Sequence, residues 1–511
     1  MSRKKVIIIG AGMAGLSAGC YLQMSGYDTE IFELGLTPGG LCTGWERKGY
    51  SFDGSIHWLV GTKPTVSIYN LWNELIDMNQ LQVVDYKEYC TIKDEEGRSF
   101  TAYIDIGQLE REMKRVSPED AGLIDQFIRG IKTFLDYNLA VEKPMEFMSL
   151  SEKLGMMGGM LPKLPQMLKW YRMSNADFAA KLKSPLLKRF FTSSYPGCFT
   201  MLVTLINCGW LHKKGAGYPI GGSAKLSRLI EQRYLNLGGS IHYRSRVDKI
   251  LVKDNCVCGV ELGGQQYAAD IVISAADGRS TIYEMLQGAY KSKEIIDMYE
   301  KDSMQRPAPG MYFSLGINRS FEGQPHWLFL PLKKNIVIDD NTVMDELALT
   351  IVNFDPTAAG VGKTCMTAML SSNDCDYWVR LRVSDMNRYA VEKKRICDQI
   401  IDALEEYFGD FKSYVEVCDL ATPATYIRYT GNWQASAQGW SASKKTFGKS
   451  IPKELPGLKN FYMAGQWVEI GGGVPMCMMS GRNVAQMICK RDDVKFIHKN
   501  HPVTLANNTS V

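Results

Sequence analysis

Gly10-Ala11-Gly12-Met13-Ala14-Gly15 follows the apolar run Val6-Ile7-Ile8-Ile9 and precedes a helix-like stretch that reaches about Ser25, where Gly26 ends it. The apolar run is too short for the core of a secretory leader and reads as a buried strand. Three glycines at this spacing have separate tasks. The first permits a tight turn, the second lets backbone approach a pyrophosphate, and the third lets helix and strand lie close. The helix N-terminus adds partial positive charge for the phosphates. Asp28–Phe32 reads as a second strand, and Glu33 closes it eighteen residues after Gly15. A carboxylate there accepts hydrogen bonds from both hydroxyls of an adenosine ribose and repels a 2′-phosphate.

Nicotinamide and flavin dinucleotides share this first unit, so the following segments must separate them. Pro38-Gly39-Gly40-Leu41-Cys42-Thr43 comes just past Glu33, and Gly49-Tyr50-Ser51-Phe52-Asp53-Gly54-Ser55-Ile56-His57-Trp58 comes next. A second glycine pair lets another loop pass close to a longer dinucleotide. Near the far end, Phe461-Tyr462-Met463-Ala464-Gly465-Gln466-Trp467 leads to Gly471-Gly472-Gly473-Val474-Pro475 and Ser480-Gly481-Arg482. A strand, a glycine turn and a helix N-terminus at that point suit a ribityl chain and flavin ring. The glycines at 471–473 are expected to leave room beside the ring, with Ile56–Trp58 as the facing wall and a long apolar tunnel in the rest of the protein.

With these motifs in order, the chain resembles the FAD-dependent phytoene desaturase, carotenoid isomerase and retinol-saturase-like group within the amine-oxidase-type flavoproteins. Tyr218-Pro219-Ile220-Gly221-Gly222, Gly238-Gly239 and Val247 complete the resemblance, which spans nearly the whole length. It implies pyrophosphate contacts at Gly10, Gly12, Met13, Ala14 and Gly15, and a ribose contact at Glu33. It further implies flavin-proximal positions at Gly39, Gly40 and Leu41, and adenine contact from the Val247 backbone. Gly465, Gln466, Gly473, Val474 and Pro475 would lie along the ribityl chain and ring. The implied activity is FAD-dependent oxidoreduction at carbon–carbon bonds of a lipophilic, isoprenoid or polyenic substrate. Leu41 and Gln466 depart from the residues common in that group.

The expected fold class is α/β: a Rossmann-like FAD-binding domain built from discontinuous segments, with an inserted α+β substrate-binding domain. Residues 1–85, 214–298 and 456–492 are assigned to the first. Residues 86–213, mainly helical, and 299–455, β-rich, are assigned to the second, and 493–511 form a polar tail. Four short strands, Ser240–Tyr243, Val247–Lys253, Val257–Leu262 and Asp270–Ser274, follow at hairpin spacing.

A chain of 511 residues has room for about three domain-sized units. Its 45% hydrophobic and 22% charged residues exclude a disordered chain. A net charge of +4 excludes a nucleic-acid surface spread over the whole length. Thirteen cysteines without a CxxC pair exclude a disulfide framework and a zinc ribbon, and favour a reducing compartment. The one ligand-like histidine pair, His498 and His501, lies in the polar tail, so no metal is expected. No run of about 18 apolar residues occurs, so no spanning helix is expected either. The expected location is cytoplasmic, at or near a membrane.

Several residues carry two readings. His57 is a proton donor beside the flavin or a histidine that fixes its loop. Tyr218 and Trp467 line a substrate channel or belong to the core. Cys42 is a covalent flavin link or a small buried thiol. Arg279 anchors a strand end or touches substrate. Leu154–Met173, rich in methionine and with Lys163, Lys169 and Arg172 but no acidic residue, is an interfacial helix or a lid over a pocket. No second GxGxxG unit is evident, so the electron acceptor or donor is substrate or a separate molecule. The alternative functions are a flavoprotein amine oxidase, a redox-neutral double-bond isomerase and a non-enzymatic FAD-binding scaffold.

Overall fold

The computed structural model describes residues 3–137, 143–144, 147–149, 151–152, 161–301, 303–446 and 449–498. Lys5–Ile9 (β1), Met13–Met24 (α1) and Asp28–Phe32 (β2) form the βαβ opening. Val6, Ile7 and Ile8 are fully buried, as a strand covered on both faces requires. Gly222–Asn236 (α2), Ser240–His242 (β3), Ile271–Ser274 (β4), Phe461–Met463 (β5) and Val474–Arg491 (α3) complete the unit. The strand order is β3-β2-β1-β4-β5, and every pair is parallel. The first and last strands of the chain therefore lie in one sheet.

The four strands read at hairpin spacing behave differently from that reading. Only the middle of the stretch is a meander, formed by Lys249–Lys253, Cys256–Leu262 and Gln265–Ala268. β3 and β4 leave it for the parallel sheet. The reason is burial: β4 is buried at all four positions, which a solvated hairpin cannot provide.

α1 and α3 meet through small residues. A Cβ at Gly481 would overlap the Ala14 carbonyl oxygen and lie 2.9 Å from the Ala18 nitrogen, so only glycine permits this approach. Ser17 adds a hydrogen bond from its hydroxyl to the Met478 carbonyl at 2.7 Å. One residue on, Arg482 forms a buried ion pair with Glu74 at 2.7 Å, and Tyr21 donates to the same carboxylate at 2.8 Å.

A second sheet has seven strands in the order Val415–Ala421, Gly310–Ile317, Thr364–Ser371, Thr342–Val352, Trp327–Asp339, Glu88–Lys93 and Ser99–Tyr103. Its neighbours are antiparallel except Trp327–Asp339 with Glu88–Lys93, where Leu328 faces Thr91 in parallel. Glu88–Tyr103 is thus the edge of a sheet whose other strands lie more than 200 residues away. The helix Met386–Phe408 covers one face through Ile396, Ile400 and Leu404. Helices Ala121–Phe134, Pro185–Ser193 and Met201–His212 gather around Phe127, Phe190 and Phe191.

Asp53 joins the two sheets. Its side chain accepts from the Ser223 nitrogen at the start of α2 at 2.8 Å and from the Ser55 and Ile56 nitrogens at 2.9 and 3.0 Å. Its carbonyl accepts from Tyr312 of the second sheet at 2.6 Å.

Gly481→Ala is expected to destabilise the protein by ~1–3 kcal/mol, because the clash is with backbone that cannot rotate away. Thermal unfolding should show a lower midpoint, whereas Gly122→Ala, with no atom within 4 Å of the added carbon, should unfold like the wild type.

Candidate functional site

A cleft of about 510 Å³ opens at the carboxyl ends of β1, β2 and β4. Gly10, Gly12, Met13 and Ala14 line it from the first turn, and Glu33 lines it from the end of β2. Gly39, Gly40, Leu41 and Cys42 form a second side, Val247 a third, and Gly465, Gln466, Gly473 and Val474 a fourth. Thirteen of the fifteen dinucleotide positions expected from sequence are therefore gathered around one space.

Gly15 and Pro475 stand outside the lining. A Cβ at Gly15 would overlap the Gly10 carbonyl, so this glycine serves the close packing of α1 against the turn. Pro475 lies in the first turn of α3. Its fixed φ suits that place, where a missing N–H costs nothing.

Gly12 and Gly473 are the N-cap residues of α1 and α3, and neither supplies a side-chain cap. The orphan N–H groups of both first turns, with their partial positive charge, are left for solvent or a ligand. Gly12 has an ordinary φ of −68°, and a Cβ there would meet nothing nearer than the Gly39 oxygen at 3.9 Å. At Gly473 it would meet nothing within 4 Å. At Gly12 the protein itself therefore has room for a side chain beside the cleft, whereas at Gly473 the space is open but a φ of +86° already calls for glycine. Such open glycines beside helix N-termini fit a pyrophosphate-bearing dinucleotide.

Glu33 is buried, and its two oxygens accept from the Ala11 and Gly35 nitrogens at 2.6 Å each. Burial pushes its carboxyl up from the ordinary range, and the two N–H donors pull it back down. Each oxygen keeps a further lone pair for a ribose hydroxyl. The same carboxylate also fixes the shape of the glycine turn.

Sequence reading passed over one wall. Ile427–Trp433, which follows the last strand of the second sheet, closes over the cleft. Asp277 anchors it: one oxygen accepts from the Trp433 nitrogen at 2.9 Å and the other from the Ser280 nitrogen at 2.7 Å. Burial raises the Asp277 carboxyl to about 6. The available signal was Ser274-Ala275-Ala276-Asp277-Gly278, a turn after a buried strand like the one at Gly10. Arg279 lines the cleft with its guanidinium over Tyr283 and Trp433, at 5.3 and 5.6 Å, rather than tying down the end of β4.

The expected room beside residues 471–473 is confined to Gly473. A Cβ at Gly472 would lie 2.9 Å from the Gln438 side chain, so Gly472 faces protein and not the cleft. Ile56–Trp58 is likewise absent from the lining, to which its neighbour Ser55 contributes. His57 instead stacks on Trp327 at 5.5 Å, and its Nδ1 lies 3.4 Å from the Thr350 hydroxyl. Burial, helped by nearby His326, lowers its imidazole to about 4, so it is neutral at pH 7 and carries no proton to donate as imidazolium.

The remaining candidates divide between cleft and core. Trp467 lines the cleft and donates to Asn432 at 3.3 Å. Tyr218 is in the core, donating to Asp53 at 3.3 Å and lying edge-on to Phe354. Cys42 is a buried thiol that burial pushes up to about 12. Leu154–Met173 lies partly outside the described residues, as does His501. Within the described part, Leu161, Lys163, Lys169 and Arg172 are exposed and Trp170 is buried. No helix among the described residues is long and apolar enough to cross a membrane. Among them, no three His, Cys, Asp or Glu residues are placed to hold a metal ion.

Comparison with known proteins agrees with this geometry. Residues 8–75 match the family model of the NAD(P)-binding Rossmann-like domain. The chain is 25% identical over 525 residues to a 4,4′-diaponeurosporene oxygenase of Staphylococcus haemolyticus, covering 96% of this chain and 97% of that one. A protein of the same name from Staphylococcus aureus is also 25% identical, over 96% and 99% of the two chains. Among solved structures, an oxidoreductase from Methanosarcina mazei superposes with a TM-score of 0.58 at 18% identity, over 94% and 100% of the chains. Cyclohexylamine oxidase from Brevibacterium oxydans superposes with a TM-score of 0.56 at 14% identity, over 96% and 100%. The fold is thus the one expected: a Rossmann-like dinucleotide-binding unit joined to a second α+β unit.

The His57 environment sets a pH dependence. The unfolded chain takes up a proton near 6.5, and the folded protein takes it up only near 4. The resulting stabilisation is complete above pH 6.5 and is lost as the pH falls toward 4, by at most about 3 kcal/mol. Denaturant unfolding at pH 7 and pH 4.5 should show a smaller acid loss for His57→Gln than for the wild type. Equal losses would place the ring in a solvated site.

Proposed function

We propose that the protein is an FAD-dependent oxidoreductase of the phytoene desaturase type that acts on a carotenoid-like, lipophilic polyene. The observation that carries this reading is the pair of open N-cap glycines, Gly12 and Gly473, facing one cleft from two different helices. A nicotinamide dinucleotide is served by the first helix. The second, brought by the far end of the chain, suits the ribityl chain and ring of FAD.

The chain's own groups divide the work. Glu33 receives the adenosine ribose, the N-terminus of α1 receives the pyrophosphate, and Gly39 and Gly40 let their loop lie close to the cofactor. Asp277 holds Ile427–Trp433 over the cleft and limits water entry. FAD bound there supplies a ring nitrogen that takes up or gives up hydride. The substrate carbon then needs close, oriented contact with the ring, and shape provides it rather than charge.

Glu33, Arg246, Asp277, Arg279, Glu284 and Arg428 charge part of the lining, and the part around the starts of α1 and α3 suits an uncharged substrate. Met13, Leu41, Cys42, Val474 and Cys477 carry no ionised group, since burial pushes the thiols of both Cys42 and Cys477 up to about 12. An amine substrate would seek the face of an aromatic ring. Trp433 already has Arg306 over its ring at 4.0 Å and Arg279 at 5.6 Å, two cations that repel a third. The names of the Staphylococcus relatives support the polyene as substrate class.

Two measurements on one preparation test the reading. Purified protein should release FAD on heating, and Gly12→Val should remain folded but nearly colourless. Under anaerobic conditions the flavin of the wild type should be bleached or re-oxidised by carotenoid-like polyenes and not by primary amines. Bleaching by amines alone would replace the polyene reading with an amine-oxidase one, and full flavin content in Gly12→Val would remove its basis.

Peripheral membrane contact belongs to the same reading, because a polyene is stored in lipid. Exposed Leu161 beside Lys163, Lys169 and Arg172 supports it. Co-flotation with anionic liposomes at low salt should fall severalfold when Lys163 and Lys169 are changed to Glu. Equal flotation of the double variant would count against the contact.

A further inference from the structure

All thirteen cysteines carry free thiols, and one pair lies where a helix crosses a sheet edge. Val415–Ala421 is the outer strand of the seven-stranded sheet, and the helix Met386–Phe408 packs across it. Their contacts step along in register. Tyr389 and Thr422 share a hydrogen bond at 2.7 Å, and one helical turn on, Lys393 lies 3.9 Å from Asp419. A further turn brings Cys397. Eight helical residues advance about 12 Å. Four strand residues, from Thr422 back to Cys418, advance about 13 Å.

The strand's alternation agrees. Leu420 packs in the same core as Ile396, Cys397 and Ile400, and Cys418, two residues away, points to the same face. Cys418 is the exposed member, while Cys397 is buried. The hydrogen bond with Cys397, followed by burial, raises the Cys418 thiol. The carboxylates of Asp419 and Asp398 add to that rise, and Lys394, paired with Asp398 at 2.6 Å, stands beside both sulfurs.

We propose that Cys397 and Cys418 form a redox-active dithiol that closes to an intramolecular disulfide when a small-molecule disulfide oxidises it. Cys418, reached first, loses its proton to solvent and attacks the reagent. A bond forms between its sulfur and one half, and the other half leaves as a thiolate. Cys397 then gives up its proton, attacks the Cys418 sulfur and expels the second half. Two protein thiols are oxidised, one small disulfide is reduced to two thiols, and two protons pass to the products. The strand so pinned runs directly into the helix Pro423–Thr430 and on to Trp433 at the cleft.

The test is chemical and independent of any bound cofactor. Full-length protein is incubated with oxidised glutathione, free thiols are alkylated, and peptides are mapped without reduction. The expected result is a peptide linking residues 397 and 418, with two of the thirteen thiols lost to alkylation. The link should persist in Cys258→Ser, which removes another exposed thiol, and disappear in Cys418→Ser. Thermal unfolding should shift upward by several degrees on oxidation of the wild type and not of Cys418→Ser. Recovery of Cys418 in alkylated form, or only as a mixed disulfide with glutathione, would overturn the proposal.

Discussion

Two helix N-termini that lack side-chain caps converge on one cleft, and much of the architecture serves to bring them there. α1 belongs to the first twenty-five residues and α3 is the last helix among the described residues. Their uncapped first turns would be poorly solvated dipole ends in a protein without a ligand. The sheet order holds them side by side, since only β4 lies between β1 and β5, the strands that lead into the two turns. Glycine at 481 then lets the helices approach closely enough for both ends to reach the same space.

Buried carboxylates hold the surrounding loops. Glu33 binds the first turn to the end of β2, Asp53 binds its loop to the start of α2, and Asp277 binds the end of β4 to Trp433. In each case burial raises the carboxyl and backbone N–H groups oppose the rise. A carboxylate is suited to this because one side chain satisfies two or more amides from distant segments. These ties leave the cleft charged on the side of Glu33 and Asp277 and uncharged on the side of Leu41 and Val474. That division suits the proposed pairing of a dinucleotide with an uncharged substrate.

The sequence made the cradle legible because its signals are local. Gly10 to Gly15, Glu33, Gly39-Gly40 and Gly473 each report a backbone need that neighbouring residues reveal. The long-range pairings were not legible in the same way. Trp327–Asp339 escaped because Pro331 interrupts its apolar run, although an irregular register between Pro331 and Ile336 accommodates the proline. β3 and β4 looked like hairpin strands because spacing does not say which face will be covered. Ile427–Trp433 carries no signature of its own; it is held at the cleft by Asp277, some 150 residues earlier, which accepts from its backbone. His57 carried two readings in the sequence, proton donor or loop-fixing residue, and its contacts with Trp327 and Thr350 accord with the second.

The sheet built from distant segments also dictates the order of folding. β1 can pair with β2 as soon as both leave the ribosome, but β4 arrives about 240 residues later, and β5 and α3 about 430 to 460 residues later. At ~5–20 residues per second, synthesis leaves the apolar side of α1 without its partner for roughly half a minute to a minute and a half. The seven-stranded sheet has the same difficulty, since Glu88–Tyr103 must wait for Trp327. A nascent chain of this kind exposes unpaired strand edges for most of its synthesis. Such exposure favours aggregation, and both sheets lack strands until the later segments have been made.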